Sequence, residues 1–143
     1  MGERVPRIDV QEKVLGTGKY PDDLEFEGMI YGSALRAAYP RARVLAIHTE
    51  EAKALPGVID VYTAEDVPGN VKTGHLKKDW DTLVPVGRLV HYLGDAVALV
   101  AARTPEILEE AKKLIRVEYE ELPMVKDPYQ AMKPEAPKVH ESE

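Results

Sequence analysis

The residues of this 143-residue chain that could do chemistry are few and scattered. Leu15-Gly16-Thr17-Gly18-Lys19 has the composition of a phosphate loop, in which backbone N–H groups cradle phosphate and a lysine reaches it. The spacing fails: GxxxxGK[ST] needs glycine where Lys13 stands and serine or threonine where Tyr20 stands, so a turn is the better reading. His48, His75, His91 and His140 form no HxH or HExxH pair, so the sequence offers no metal-ligand set. His48 and His91 read as strand-face residues. Asp22-Asp23, Glu65-Asp66 and Glu118/Glu120/Glu121 could do acid–base work only beside an apolar pocket, and without one they read as solvated faces. Ser33 and Ser142, the only serines, lie in no GxSxG elbow. The exception is the stretch 66–83, where Lys72, His75, Lys77, Lys78 and Trp80 bring cations and an aromatic together. A loop that long inside a small domain is usually functional or lies against something.

The elements that must position these residues centre on 92–125. Ala96–Ala102 is an unbroken apolar run, the pattern of a strand covered on both faces. Thr104 and Pro105 read as N-cap and first helical residue. Ile107, Leu108, Ala111, Leu114 and Ile115 then make one apolar stripe. From Ile115 the period becomes 2, with Val117 and Tyr119 opposite Arg116, Glu118 and Glu120. Strand, helix and strand over 96–120 predict a βαβ unit with parallel strands. Its core is expected to unite Val97, Leu99, Ile107, Ala111, Leu114, Val117 and Tyr119.

Upstream, 1–25 reads as a mostly irregular arm laid on another surface, and residues 26–126 as the folded domain. Strands are expected over 29–35, 43–48, 58–63 and 86–92, with a short helix after Thr49 closed by Pro56-Gly57. Strand–short helix–strand thus occurs twice, at 43–63 and 96–120. One helical turn, DPYQAM, is expected in the tail 127–143.

Composition excludes several classes. There is no cysteine, which removes disulfides, thiolate metal sites, cysteine-bound iron–sulfur clusters and Cys nucleophiles. A net charge of −6 argues against a nucleic-acid surface. The longest apolar run is far below the ~20 residues of a membrane span. The first residues lack the apolar core of a secretory signal, so cytoplasmic is the default.

Five blocks in order resemble a known family. Pro6-Arg7-Ile8-Asp9, Lys13-Val14-Leu15-Gly16, Tyr20 and Asp22-Asp23 are similar to a PRxDxxxKVxGxxxYxxD start. Gly28-Met29-Ile30-Tyr31-Gly32 with Leu35-Arg36 and Pro40-Arg41-Ala42 is similar to GMLYAxxLRSPYAHA. Ala54–Val58 and Thr63–Gly69 resemble ALPGVxxVxTAxDVPG. Tyr92–Ala98 and Val117–Pro123 resemble VGxPVAxVxA and VEYEELP. These blocks, from Pro6 to His140, are similar to those of the molybdenum-binding subunit of the xanthine dehydrogenase and aldehyde oxidase family. The departures are Arg36-Ala37-Ala38-Tyr39 in place of RSPYA, and Asp95-Ala96 where Glu or Gln precedes Pro.

The resemblance implies a mixed α+β fold, the α/β-hammerhead. It implies a structural domain of an oxidoreductase that hydroxylates purines or aldehydes. This chain itself would carry no catalytic, cofactor-binding or metal-binding residue. The parent would use molybdenum–molybdopterin, with FAD and 2Fe-2S clusters in partner domains or subunits. The partners implied are the molybdopterin-binding domains that follow, with neither nucleic acid nor membrane. Gly74, His75 and Leu76 stand where relatives place a glycine–apolar pair on the substrate-channel wall. Two expectations about the chain as a whole stay open: an excised first domain, or a stand-alone piece that assembles with a larger one. Outside this family, the residues also fit a non-catalytic module that holds a partner through a sheet edge or the Trp80 loop.

Overall fold

A computed structural model describes residue 2 and residues 5–139; His140 and Ser142 lie outside it. The fold is mixed α+β. Helix α1 (Val10–Leu15) precedes strands β1 (Tyr31–Arg36) and β2 (Ala42–His48), helix α2 (Glu50–Ala54) and strand β3 (Val58–Tyr62). The two-residue strands β4 (Lys72–Thr73), β5 (Trp80–Asp81) and β6 (Leu89–Val90) follow. The chain then runs through β7 (Ala96–Ala102), α3 (Pro105–Leu114), β8 (Arg116–Glu121) and α4 (Pro128–Ala131).

Strand β7 lies between β1 and β3, β2 lies between β6 and β8, and every pairing is antiparallel. This corrects the expected parallel βαβ unit at 96–120. The strand–helix–strand order is present, but β7 and β8 sit in different sheets. The two strand–helix–strand units interlock instead: β2 of the first pairs with β8 of the second, and β3 with β7. The link through α2 is the physical reason. It spans only 49–57, too short for the dozen or more residues that a parallel crossover requires. With that unit forced to send its strands to different sheets, the antiparallel partners left for them are β7 and β8.

The core is accordingly double. Ala98, Val100 and Ala102 of β7 pack with Val61, Ala52, Leu108, Ala111 and Ile115 under the helices. Val97, on the other face of β7, packs with Ala37, Ala42, Val44, Val84 and Val90 where the sheets meet. Leu35, Ile47 and Val117 touch both clusters. The expected single core is therefore wrong in two respects. Val97 and Tyr119 belong to the second cluster, and Leu99 belongs to neither, being 39% exposed.

Local chemistry explains the element ends. The Thr104 hydroxyl accepts the Ile107 N–H at 3.3 Å, with Pro105 as first helical residue. Thr104→Ala is expected to cost about 1 kcal/mol, read as a lower urea midpoint at unchanged slope. The arm is not irregular throughout, because α1 forms in it. Asp9 pairs with Lys13 at 2.7 Å, one turn on, and with Arg7 at 2.6 Å. These cations, Lys13 foremost, hold the Asp9 carboxyl below its usual pKa. Gly16, at φ 71°, then closes the helix, its N–H reaching Lys13 O while Thr17 N–H reaches Glu12 O. That double closure is a Schellman cap, so the apparent phosphate loop is a helix stop. The expected strand 86–92 shrinks to Leu89–Val90 because Pro85–Arg88 is a turn, Arg88 N–H bonding Pro85 O.

Candidate functional site

The stretch 66–83 is better ordered than a loop. It leaves β3 through a short 3₁₀ turn, Ala64–Asp66, with a reciprocal cap. The Asp66 carboxylate accepts Thr63 N–H at 2.7 Å and the Thr63 hydroxyl at 3.1 Å. The backbone bond foremost keeps that carboxyl below its usual pKa. After Pro68-Gly69, Asn70 Oδ1 accepts Lys72 N–H at 2.9 Å and starts β4. Lys72 pairs with Asp81 and Thr73 with Trp80, making a two-rung hairpin that corrects the expected structureless loop.

Gly74 begins the tip of this hairpin at φ 152°. A Cβ there would stand 1.7 Å from Lys77 O, so no other residue fits without reshaping the turn. The tip carries His75 and Leu76, and Leu76 is fully exposed. Trp80 turns inward instead. Its ring lies 5.5 Å from that of His91 and 5.7 Å from that of Tyr92, both tilted, which ties the hairpin to the turn before β7. That turn is held by Asp95, 3% exposed, whose carboxylate accepts His91 N–H at 2.6 Å. Among the described residues, one buried polar side-chain atom lacks a partner: Oδ1 of Asp81, beside Trp80.

The structure therefore brings Gly74, His75 and Leu76 together at one tip and moves Trp80 away from it into an aromatic cluster. Sequence reasoning missed that cluster, and its signal was Trp80 followed, across a turn-rich stretch, by His91-Tyr92. A cavity of about 360 Å³ opens next to it, bounded by Arg41, Tyr92, Leu93, Met124 and Val139.

Several of the other candidate residues are engaged structurally. His48 lies 2.9 Å from Glu118 across β2 and β8, and Arg43 lies 3.4 Å from Glu120. Asp23 caps the turn after Tyr20 by accepting its N–H at 2.9 Å. His91 falls just past β6 rather than within a strand. Among the described residues, no three His, Asp or Glu side chains converge as a metal site. No described helix is long and apolar enough to cross a membrane.

Residues 15–123 match the family model described as aldehyde oxidase and xanthine dehydrogenase, a/b hammerhead domain. The chain belongs to the aldehyde oxidase and xanthine dehydrogenase family. Within that family it is 44% identical over 135 residues to a probable xanthine dehydrogenase subunit of Bacillus subtilis, covering 94% of this chain and 18% of that one. The nicotinate dehydrogenase large molybdopterin subunit of Eubacterium barkeri is 35% identical over 140 residues, covering 98% of this chain and 32% of its own length. The reconstituted CO dehydrogenase of Oligotropha carboxidovorans superposes with a TM-score of 0.84 at 35% identity, over 96% of this chain and 17% of that chain. This hammerhead thus spans between about a sixth and a third of the length of these three relatives.

Proposed function

We propose that the chain serves as the hammerhead domain of the large subunit of a molybdenum hydroxylase. The whole enzyme would insert a water-derived oxygen at a carbon of a purine or an aldehyde. Electrons would leave through iron–sulfur and flavin groups carried by partner domains or subunits. The observation that carries this reading is the 44% identity to a xanthine dehydrogenase subunit across 94% of the chain. Molybdopterin would be held by the rest of the large subunit, since this chain covers only 32% of the length of a large molybdopterin subunit it resembles. In this reading the chain shapes the large subunit of a cytoplasmic enzyme.

The test is a chimera in which this chain replaces the matched residues of the B. subtilis protein. Molybdenum content and xanthine turnover close to those of the parent are expected. A chimera that folds but takes up no molybdenum would count against the reading.

Within that role, Gly74, His75 and Leu76 are proposed to border the substrate channel. Support comes from the position of the tip after Val67-Pro68-Gly69 and from a large apolar side chain, Leu76, held out by a turn that only glycine can make. In the chimera, Leu76→Ala should raise KM by about threefold or more with kcat nearly unchanged, because access and uniform binding change while the chemistry does not. Equal kinetics for every substrate tried would leave the tip without that role.

A further inference from the structure

The central strand β7 reads AVALVAA, with no polar residue on either face. In an antiparallel sheet with one face in water, the wet face alternates polar residues into the sequence. One face of β7 is covered by α2 and α3. On the other, Val97 is covered by the second sheet, but the surface beyond it is bare. Leu99 is 39% exposed and Tyr62, opposite it on β3, is 37% exposed. Register places Ala34 of β1 against Leu99 and Gly32 against Ala101, so small residues flank the two large ones. The result is a shallow apolar trough. Asp60 stands opposite Ala101 at its edge, with its carboxylate bridged to Lys53 at 3.2 Å and to its own neighbour's N–H, Val61, at 2.7 Å.

We propose that this outer face of the β1–β7–β3 sheet is where the molybdopterin-binding remainder of the large subunit seats, an inference that rests on the function proposed above. Two observations select that occupant. The arm of this chain does not cover the face, since Val5, Ile8, Val14 and Leu15 are themselves exposed. The relatives carry several times as much polypeptide as this domain, and the B. subtilis protein is matched over 18% of its length. Gly32, Ala34 and Ala101 let an apolar ridge approach the sheet backbone closely, which a charged or strongly hydrated partner would not exploit.

The experiment is hydroxyl-radical footprinting of the 143-residue chain alone and of the chimera with the B. subtilis protein. Oxidation of Leu99 and Tyr62 should be about tenfold slower in the chimera, as for side chains at the dry centre of an interface. A chimera that fails to assemble strikes the functional reading and this inference with it. If it assembles but Leu99 and Tyr62 are oxidised as fast as in the isolated chain, only the docking face is overturned. Protection already complete in the isolated chain, with a dimer in sedimentation, would assign the face to a second copy and also overturn it. As a second arm, Ala34→Arg in the chimera should abolish molybdenum loading while the isolated chain carrying it unfolds at an unchanged midpoint. Full loading by that variant would contradict the proposal.

Discussion

Val97→Asp will populate the unfolded chain in plain buffer, without denaturant. Val97 is fully buried at the junction of the two sheets, and its cluster consists of Ala37, Ala42, Val44, Val84 and Val90. None of these side chains can donate a hydrogen bond to a carboxylate. The one buried carboxylate close in the chain, Asp95, would repel it, and is already committed to His91 N–H. An uncompensated buried charge costs about 3–5 kcal/mol. Domains of this kind have about 5–15 kcal/mol in total, and this one leaves an apolar sheet face in water. Far-UV circular dichroism against urea checks the outcome: the folded baseline should shorten or vanish. The control is Leu45→Asp on the exposed part of β2, expected within about 0.5 kcal/mol of the parent. A Val97→Asp chain as stable as that control would mean that the two sheets do not share a dry junction.

The second large effect is a contrast between two leucines nine positions apart. Leu108 is 5% exposed and packs among Val61, Ala98, Val100, Ala102 and Ala111. Leu108→Ala should cost about 2–5 kcal/mol, from lost transfer energy plus the cavity left between helix and sheet. Leu99→Ala in the isolated chain should cost about 1 kcal/mol or less, because much of that side chain is already in water. Urea midpoints of the two variants give the answer directly. Equal losses would place Leu99 in a core it does not occupy. Within the assembled large subunit the contrast should shrink, since there the face bearing Leu99 is proposed to be covered.

Much of the local structure was legible from residue types, because it depends on neighbours in the chain. Thr104-Pro105 announced the start of α3, the seven apolar residues 96–102 announced β7, and alternation after Ile115 announced β8. The helix closed at Gly16 was not read, since 1–25 was expected to be mostly irregular and the lysine and second glycine beside Gly16 imitate a phosphate loop. The two strand–helix–strand units were visible as units. Which strand each unit would pair with was not, because both halves offer strands of equal apolar character and pairing is a long-range choice.

That choice belongs to the tertiary structure. The link through α2 is too short to return alongside β2, so each unit gives its strands to the other. Splitting the strands between two sheets divided the core and turned Leu99 outward, although its strand is apolar throughout. The tertiary structure also decided the candidate site. It drew Trp80 into contact with His91 and Tyr92, more than ten residues on, and left His75 and Leu76 at a tip that Gly74 alone permits. The family could be read from blocks in order along the chain, since those blocks are local. The face that the rest of an enzyme would cover could not, because a continuous apolar strand does not say which of its sides stays bare.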